Sequence, residues 1–338
     1  MSEAVMAEEI GAQPAVLRAA LPTLRAALAD LEPAAGRVFA GGCGDSLFAA
    51  GAIAGGFTAG GLDYRSCSAM QLACYEALRP GDRCILLSVS GGTRRTVEAA
   101  VRARAQGCGV LAVTVNPESA LARAADRVLV LPYQPLSRTT PHSLDYSVSL
   151  LALAAIAERL AGRTDAALDR AALVAERAVK GQAAAILQHG RPAPTWYFLG
   201  AGPGLATAAY AAAKWHEAGG QRAMALELEN AVHGANFMLE PGDCVLLLAT
   251  DAQALAQSQR LRDGLRRLGC RVCLIGPAAA GADLVLESEG WLAELEAAML
   301  VQRLCLAVVE AAGLDLAAPR AGRPAGDLHL EVQREWMA

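Results

Sequence analysis

Short apolar runs alternate with longer segments of helical periodicity along most of this chain. Each run has the length of a buried strand, and each leads into a turn and then into a helix-like segment. Parallel strands need such crossover helices, so this order predicts an α/β fold of doubly wound parallel sheets, flavodoxin-like, with helices on both faces. The predicted strands cover residues 37–40, 64–68, 85–87, 110–115, 128–131, 196–199, 244–249, 270–275 and 284–286. The predicted helices cover residues 47–57, 93–106, 143–160, 164–187, 205–218, 252–268 and 291–312.

The same arrangement occurs in both halves of the chain, which indicates an internal duplication of residues 36–135 and 195–290. In each half a strand runs into a pair of glycines and a helix follows. We therefore expect two tandem domains with further helical segments around them. The predicted division is an N-terminal helical segment (1–35), a first domain (36–160), a connecting helix (161–194), a second domain (195–312) and a C-terminal tail (313–338).

Composition excludes several classes of function. Of the 338 residues, 54% are hydrophobic and 19% are charged, and a net charge of -4 gives no basic surface for nucleic acid. The longest apolar stretch, residues 148–156, is too short to span a bilayer. Nine cysteines at irregular spacing, with no secretory leader, favour a reducing cytoplasm over a disulfide scaffold. Cys270 and Cys273 form one CxxC with no second pair, so no metal site is expected.

The stretch Ser88-Val89-Ser90-Gly91-Gly92-Thr93 joins a predicted strand to a predicted helix. Backbone N–H groups and the positive end of a helix dipole favour an anion at such a position, and short hydroxyl side chains complete its coordination. The stretch therefore predicts a phosphate site, with an ordinary Ser/Gly turn as the alternative. The corresponding residues 248–253 in the second half have lost the glycines and gained Asp251, so only the first half is predicted to hold phosphate.

An earlier turn, Gly42-Cys43-Gly44-Asp45-Ser46, has part of the dinucleotide-binding fingerprint. The full fingerprint needs a third glycine, where this chain has Leu47, and an acidic residue at the end of the next strand. Both are missing, so no nicotinamide cofactor is expected. Ser46 is better placed as another hydroxyl for the phosphate ligand.

A second group of candidate residues lies in the second half. Lysine occurs only at positions 180 and 214, and Lys214 is three residues before Glu217, so the two share a face of a predicted helix. A surface ion pair is the alternative. His233 precedes a glycine and could equally be a loop residue without function. His142, His189 and His329 have no accompanying partners and are interpreted as structural or surface residues.

Taken in order, these motifs resemble the double sugar-isomerase-domain (SIS) family, most closely the isomerase half of glucosamine-6-phosphate synthase. The resemblance covers nearly the whole chain. The matching motifs are Glu9-Ile10-x-x-Gln13-Pro14, Gly42-Cys43-Gly44-x-Ser46, Ser88-x-Ser90-Gly91-x-Thr93, Lys214-x-x-Glu217, His233-Gly234 and Pro319-Arg320.

The resemblance implies roles for these residues. It implies that Glu217 moves a proton between sugar carbons 1 and 2, that His233 opens the sugar ring and that Lys214 assists near the open-chain oxygens. It also implies a homodimer in which His233 comes from the neighbouring subunit. The residues that it implies for the sugar phosphate are Ser46, Ser88, Ser90 and Thr93, with Gly44 and Gly91 in the same turns.

Four departures from the family pattern narrow the expected reaction. No glutaminase domain is expected before residue 1, so glutamine is not expected to supply nitrogen. Val89 stands where the synthase has glutamine, and Ala235 stands where the family usually has proline. The tail lacks the lysine that in the synthase reaches the sugar, and Arg323 is the nearest cation. Ketose amination is therefore disfavoured.

The leading hypothesis is a cofactor-free aldose/ketose isomerase or aminosugar-phosphate deaminase/isomerase. Two alternatives remain open. One is a phosphosugar sensor without catalysis, which would need no base. The other is a lyase or deglycase that uses the same carboxylate to remove a proton from a phosphosugar ether or ketosamine.

Overall fold

The computed structural model describes residues 2–136, 141–316 and 325–337, and it contains two five-stranded parallel sheets with helices on both faces, as predicted. The strands are β1 (Val38–Gly42), β2 (Tyr64–Ser68), β3 (Arg83–Leu87), β4 (Gly109–Thr114), β5 (Arg127–Val130), β6 (Trp196–Gly200), β7 (Ala223–Glu227), β8 (Cys244–Leu248), β9 (Arg271–Pro277) and β10 (Leu284–Leu286). The helices are α1 (Ser2–Ala27), α2 (Asp45–Ala52), α3 (Ala54–Ala59), α4 (Ala69–Cys74), α5 (Arg94–Ala105), α6 (Ala120–Ala124), α7 (Leu144–Leu160), α8 (Ala167–Lys180), α9 (Ala183–His189), α10 (Pro203–Glu217), α11 (Ala252–Arg267), α12 (Trp291–Ala312) and α13 (Gly326–Met337).

The two sheets have the same strand order. The first is β2-β1-β3-β4-β5, and the second, read from its other edge, is β7-β6-β8-β9-β10. Counted along the chain, the second strand of each set is an edge strand and the first strand lies beside it. An internal duplication would produce this correspondence, and the duplication itself stays a prediction.

Each sheet belongs to its own compact unit. The unit that contains β1–β5 comprises Ala15–Pro135, Asp145–Arg170 and Arg320–Ala338, and we call it the β1–β5 unit. The unit that contains β6–β10 comprises Met1–Pro14, Leu136–Leu144 and Ala171–Pro319, and we call it the β6–β10 unit. The five-part division expected from the sequence stays a prediction.

Both faces of the second sheet are covered by apolar side chains. Along β8 every residue is buried, and Leu246 and Leu248 join a different cluster from Val245 and Leu247. Successive side chains of a strand point to opposite faces, so one continuous apolar run contributes to two cores. This is why such runs indicate central parallel strands.

Two predicted helices are each interrupted. The expected helix 47–57 is divided into α2 and α3 at Ile53, next to several glycines. The expected helix 164–187 is divided into α8 and α9 at Gly181 and Gln182. Gln182 has a positive φ of 59°, and its side-chain amide donates to Val285 O (2.9 Å) and accepts from Val285 N (2.6 Å). It thereby pairs with the backbone of edge strand β10.

Four further elements were not predicted from the sequence: β7, α4 and α6, each of six residues or fewer, and the longer α13 in the expected C-terminal tail. Among the described residues, no helix is both long and apolar enough to cross a membrane. The motif Pro319-Arg320 and the cation Arg323 lie outside the described residues.

Candidate functional site

Residues Ser88–Thr93, which we call the Ser/Thr loop, join the end of β3 to the start of α5. The hydroxyls of Ser88 and Thr93 are hydrogen bonded at 3.0 Å, and Gly91 N donates to Ser88 Oγ at 3.1 Å. Ser90 is exposed and accepts a hydrogen bond from Gly92 N (3.2 Å). The loop is therefore a folded turn that presents Ser90 to solvent.

The helix that follows the loop has an N-terminus suited to an anion. Thr93 is the N-cap residue of α5, yet its side chain makes no capping hydrogen bond, because its hydroxyl contacts Ser88 instead. The first turn of α5 contains no acidic residue. An anion at this end of the helix would interact favourably with the helix dipole.

Both the backbone conformation at position 91 and the lack of room for a side chain there require glycine. Its φ is +67°, where side chains other than glycine are disfavoured. A Cβ atom there would lie 2.1 Å from Ser119 Oγ and 2.9 Å from Thr114 Oγ1. Glycine at 91 thus lets the loop pack directly against the neighbouring turn.

Ser46 lies at the carboxyl ends of strands β1 and β3, where the Ser/Thr loop also begins. It is the second residue of α2, whose N-cap is Gly44. A Cβ atom added at Gly42, the last residue of β1, would lie 2.7 Å from Ser46 Cβ and 2.3 Å from Leu87 O at the end of β3. Ser46 and the end of β3, where the Ser/Thr loop begins, therefore both lie next to Gly42, and their use in one phosphate site stays a prediction.

The corresponding loop of the β6–β10 unit is built differently. Asp251 is the N-cap of α11, and its Oδ1 accepts a hydrogen bond from Ala254 N at 2.8 Å. In the β6–β10 unit a carboxylate of the chain itself therefore caps the helix N-terminus. In the β1–β5 unit the equivalent N-terminus, at Thr93, has no side-chain cap. This contrast supports the prediction that phosphate binds in the first unit only.

Glu294 of α12 is buried in the β6–β10 unit, only 3% exposed. Thr207 Oγ1 donates to its Oε2 at 2.5 Å. Burial raises the pKa of Glu294 to about 7, and the charge of Asp251 adds to this effect while the hydrogen bond from Thr207 opposes it. A carboxyl group of this kind changes its charge close to neutral pH.

Lys214 and Glu217 form an ion pair on α10, with Lys214 Nζ 2.6 Å from Glu217 Oε2. The lysine side chain is 0% exposed, whereas the glutamate side chain is 43% exposed. The other lysine of the chain, Lys180, pairs with Glu176 at the same distance, but it is 72% exposed. Only a specific environment compensates a fully buried ammonium group, so the Lys214 pair differs from an ordinary surface pair.

Backbone and aromatic groups complete the environment of Lys214. His142 O lies 3.4 Å from Lys214 Nζ, and the ring of Tyr210 lies 5.2 Å from it. The Tyr210 hydroxyl also donates to His142 O at 3.2 Å. The segment around His142 is thereby tied to both residues of α10.

A buried hydrogen-bond network holds this segment in place. Gln302 Nε2 donates to Tyr210 Oη (3.0 Å) and to Ser143 O (3.3 Å), and Gln302 Oε1 accepts from Gln13 Nε2 (2.6 Å). Glu9 Oε2 accepts from Ser143 N (3.2 Å) and from Ser143 Oγ (3.0 Å). Buried side chains that are hydrogen bonded to one another and to the backbone in this way fix local geometry.

His233 follows a short 3₁₀ turn (Asn230–Val232) and is exposed. Its Nε2 lies 3.3 Å from Glu229 Oε1, which is also exposed. The neighbouring Gly234 has a φ of 121°. An exposed imidazole is compatible with contact to a neighbouring subunit, and that role stays a prediction.

The structure thus groups the predicted residues in two sets, each within one unit. Ser46, Ser88, Ser90, Thr93, Gly44 and Gly91 belong to the β1–β5 unit, and Lys214, Glu217 and His233 belong to the β6–β10 unit. Sequence reasoning missed Tyr210, Gln302 and the backbone of His142. The four-residue spacing from Tyr210 to Lys214, one helical turn, was the available signal for the first of these.

Comparisons with known proteins agree with this architecture. Residues 33–159 match the family model described as the SIS domain. A curated N-acetylmuramic acid 6-phosphate etherase from Symbiobacterium thermophilum is 45% identical over 82 residues, which cover 22% of this chain and 27% of the etherase. The alignment therefore spans well under half of either protein.

Solved structures match over nearly the full length. Glucosamine-6-phosphate deaminase from Thermotoga maritima matches with a TM-score of 0.71 and 19% identity, covering 94% of this chain and 98% of that one. The C-terminal domain of glucosamine-fructose-6-phosphate aminotransferase from Francisella tularensis gives 0.76 and 19%, covering 92% and 97%. Tagatose-6-phosphate ketose/aldose isomerase from Escherichia coli gives 0.77 and 19%, covering 93% and 95%. Residues 33–159 thus match the SIS-domain model, and the chain shares its overall fold with these three proteins.

Proposed function

We propose that this protein is a phosphosugar aldose/ketose isomerase or an aminosugar-phosphate deaminase/isomerase that transfers a proton between C1 and C2. The observation that carries the proposal is the ion pair of a fully buried Lys214 with a partly exposed Glu217. It provides a carboxylate accessible to a substrate and a fixed cation beside it. The SIS domain and the fold shared with sugar-phosphate enzymes support the substrate class.

The Ser/Thr loop and Ser46 bind the phosphate in this proposal. Hydroxyls of Ser88, Ser90 and Thr93 and backbone N–H groups of the loop donate hydrogen bonds to its oxygens. Phosphate binding supplies orientation, which lowers the entropic cost of reaching the transition state.

Glu217 acts as the base in this scheme. Its carboxylate takes the proton from C2 of an open-chain aldose, the C2–H electrons form a C1–C2 double bond, and negative charge develops on O1. Lys214 stabilises that charge. The proton of the C2 hydroxyl passes to O1. Return of the Glu217 proton to C1 then uses the electrons of the C1–C2 double bond, while the O2 electrons form a carbonyl group at C2, which completes the isomerisation.

An amino group at C2 changes the outcome of the same proton transfer. Protonation at C1 then leaves an imine at C2, which water hydrolyses to a ketose and ammonia. We also propose that His233 opens the sugar ring across a homodimer interface. The reaction needs no cofactor, and a location in a reducing cytoplasm stays a prediction from cysteine usage.

Isotope exchange tests the proposal. The chain is incubated in deuterated water with a panel of hexose 6-phosphates and amino-hexose 6-phosphates, and loss of the C2 proton is followed by NMR. We expect exchange with at least one member and none with Glu217→Gln, while Glu176→Gln, the exposed Lys–Glu pair of the same unit, behaves as wild type. Binding without exchange for every sugar would reject catalysis and favour a sensor.

A lyase reaction is the second candidate, because the etherase is the curated relative with 45% identity over its aligned stretch. The same carboxylate would remove a proton next to an ether-bearing carbon, and the ether oxygen would leave with the C–O electrons. Mass spectrometry of the products separates the two reactions. Release of a hydroxy acid from a phosphosugar ether would identify the lyase.

A further inference from the structure

The two cysteines of the CxxC motif face opposite sides of the second sheet. Cys270 packs in the cluster with Val245 and Leu247, and its Sγ is 3.8 Å from Glu240 O. Cys273 is fully buried in the cluster on the other face. The motif therefore does not bind a metal as a pair, and Cys273 has different neighbours.

Cys273 lies beside His189 and Asp283, within the β6–β10 unit. His189 is the last residue of α9, Cys273 is the third residue of β9, and Asp283 immediately precedes β10. One donor atom of each residue lies within 4.8 Å of the other two, and His189 Nε2 is 3.9 Å from Asp283 Oδ1. Three elements that are distant in sequence thus bring a thiol, an imidazole and a carboxylate together.

From this arrangement we propose that Cys273, His189 and Asp283 form a binding site for Zn²⁺ or a similar divalent transition metal. A thiol, an imidazole and a carboxylate are the donors that Zn²⁺ binds in proteins, whereas Mg²⁺ and Ca²⁺ avoid sulfur. Tetrahedral Zn²⁺ places its ligands about 3.3–3.7 Å apart. The donors observed here need only a small inward movement to reach that geometry.

The surroundings of Asp283 orient it for this role. Its Oδ2 accepts hydrogen bonds from Leu274 N (2.8 Å) and Arg262 (3.0 Å), while Oδ1 is the oxygen nearer His189. Ligating carboxylates are commonly held in this way by outer hydrogen bonds. Arg262 also contacts Oδ1 at 3.1 Å, and its charge opposes a cation. We therefore expect a site of lower affinity than a four-ligand structural zinc centre.

The fourth position of the metal would face solvent. His189 and Asp283 have side chains 18% and 20% exposed, so the site is reached from one side while Cys273 closes the other. A metal bound there would link α9 to β9 and β10. Because it binds the folded unit, it should stabilise that unit by mass action.

Metal titration of the full-length chain tests the site. Metal-free protein is titrated with Zn²⁺ in competition with a chromophoric chelator, and with Co²⁺ to record thiolate-to-cobalt absorption. We expect one equivalent of Zn²⁺, a rise in Tm and a thiolate–cobalt band. Cys273→Ser should remove the band and weaken Zn²⁺ binding by at least about 10-fold, the lower limit for loss of even an outer-shell partner.

Matched variants make the test decisive. Cys270→Ser, the other cysteine of the motif, should keep both the band and the affinity. His189→Gln changes a partly exposed side chain and should weaken Zn²⁺ binding without unfolding the protein, and Arg262→Gln should strengthen it. Equal Zn²⁺ binding by wild type, Cys273→Ser and His189→Gln, or no thiolate–cobalt band in wild type, would overturn the site. The phosphosugar reaction is not involved in any of these readouts.

Discussion

Glu294→Gln directly tests whether burial in the β6–β10 unit destabilises the ionised form of the Glu294 carboxyl group. Glu294 is buried, it hydrogen bonds to Thr207, and burial raises its pKa from 4.5 to about 7. The native state therefore keeps a proton that the unfolded chain releases as the pH rises above 4.5. Because the unfolded state then binds fewer protons, the free energy of unfolding falls as the pH rises through this window. The side chain introduced by Glu294→Gln does not titrate, so the variant lacks this contribution to the pH dependence of stability.

The magnitude follows from the difference between the two pKa values. A change from 4.5 to about 7 corresponds to about 3 kcal/mol of destabilisation at pH values above the native pKa. Near pH 5 most of this penalty is absent. Between about pH 5 and about pH 8.5, wild type should lose roughly 2 to 3 kcal/mol relative to Glu294→Gln.

Urea unfolding followed by tryptophan fluorescence provides the assay. Trp196, Trp215 and Trp291 are all buried in the β6–β10 unit, whereas Trp336 is 83% exposed, so the signal reports this unit. Glu310→Gln changes an exposed carboxyl group on the same helix and should follow the wild-type pH dependence. A wild-type-minus-Glu294→Gln difference that is constant from about pH 5 to about pH 8.5 would refute the reasoning.

Three further substitutions test the candidate site. Gly91→Ala should destabilise the β1–β5 unit by about 2 kcal/mol or more in urea unfolding followed by circular dichroism, because of its positive φ and the clash of its Cβ with Ser119. At Gly92 an added Cβ would make only an ordinary contact of 3.7 Å with Ser90 Oγ, so Gly92→Ala should change stability by less than about 0.5 kcal/mol, and equal effects would contradict the packing argument. Ser90→Ala should weaken sugar-phosphate binding in calorimetry by about 1 kcal/mol or more, and unchanged binding would remove Ser90 from the site. Gln302→Leu removes the hydrogen bonds to Gln13, Tyr210 and Ser143 O and should cost about 1–3 kcal/mol of stability, measured by tryptophan fluorescence, whereas a neutral effect would show that the network is dispensable.

Sequence reasoning predicted the elements that carry a strong local signal. Continuous apolar runs such as 244–249 identified central strands, and Lys214 and Glu217 were placed correctly on one helical face. Strand β7 was missed because Ala223–Glu227 mixes apolar, small and acidic residues at a sheet edge. The helix break at Gln182 depends on pairing with Val285, about a hundred residues away.

Burial and distant contacts were the parts that sequence could not provide. Spacing alone gives the same prediction for the Lys180 and Lys214 pairs, although one lysine is exposed and the other is fully enclosed. The difference comes from Tyr210 and the backbone of His142, brought there by tertiary packing. In the same way, His189 and Cys273 look unrelated in sequence and are neighbours in the fold.

Wash-out of label from a C2-deuterated sugar phosphate in ordinary water measures the central claim most directly. The proposed scheme predicts that wild type replaces deuterium at C2, that Glu217→Gln binds the same sugar but slows replacement by at least about 100-fold, and that Ser90→Ala loses affinity. If Glu217→Gln replaces the label at the wild-type rate, Glu217 is not the base and the scheme is contradicted.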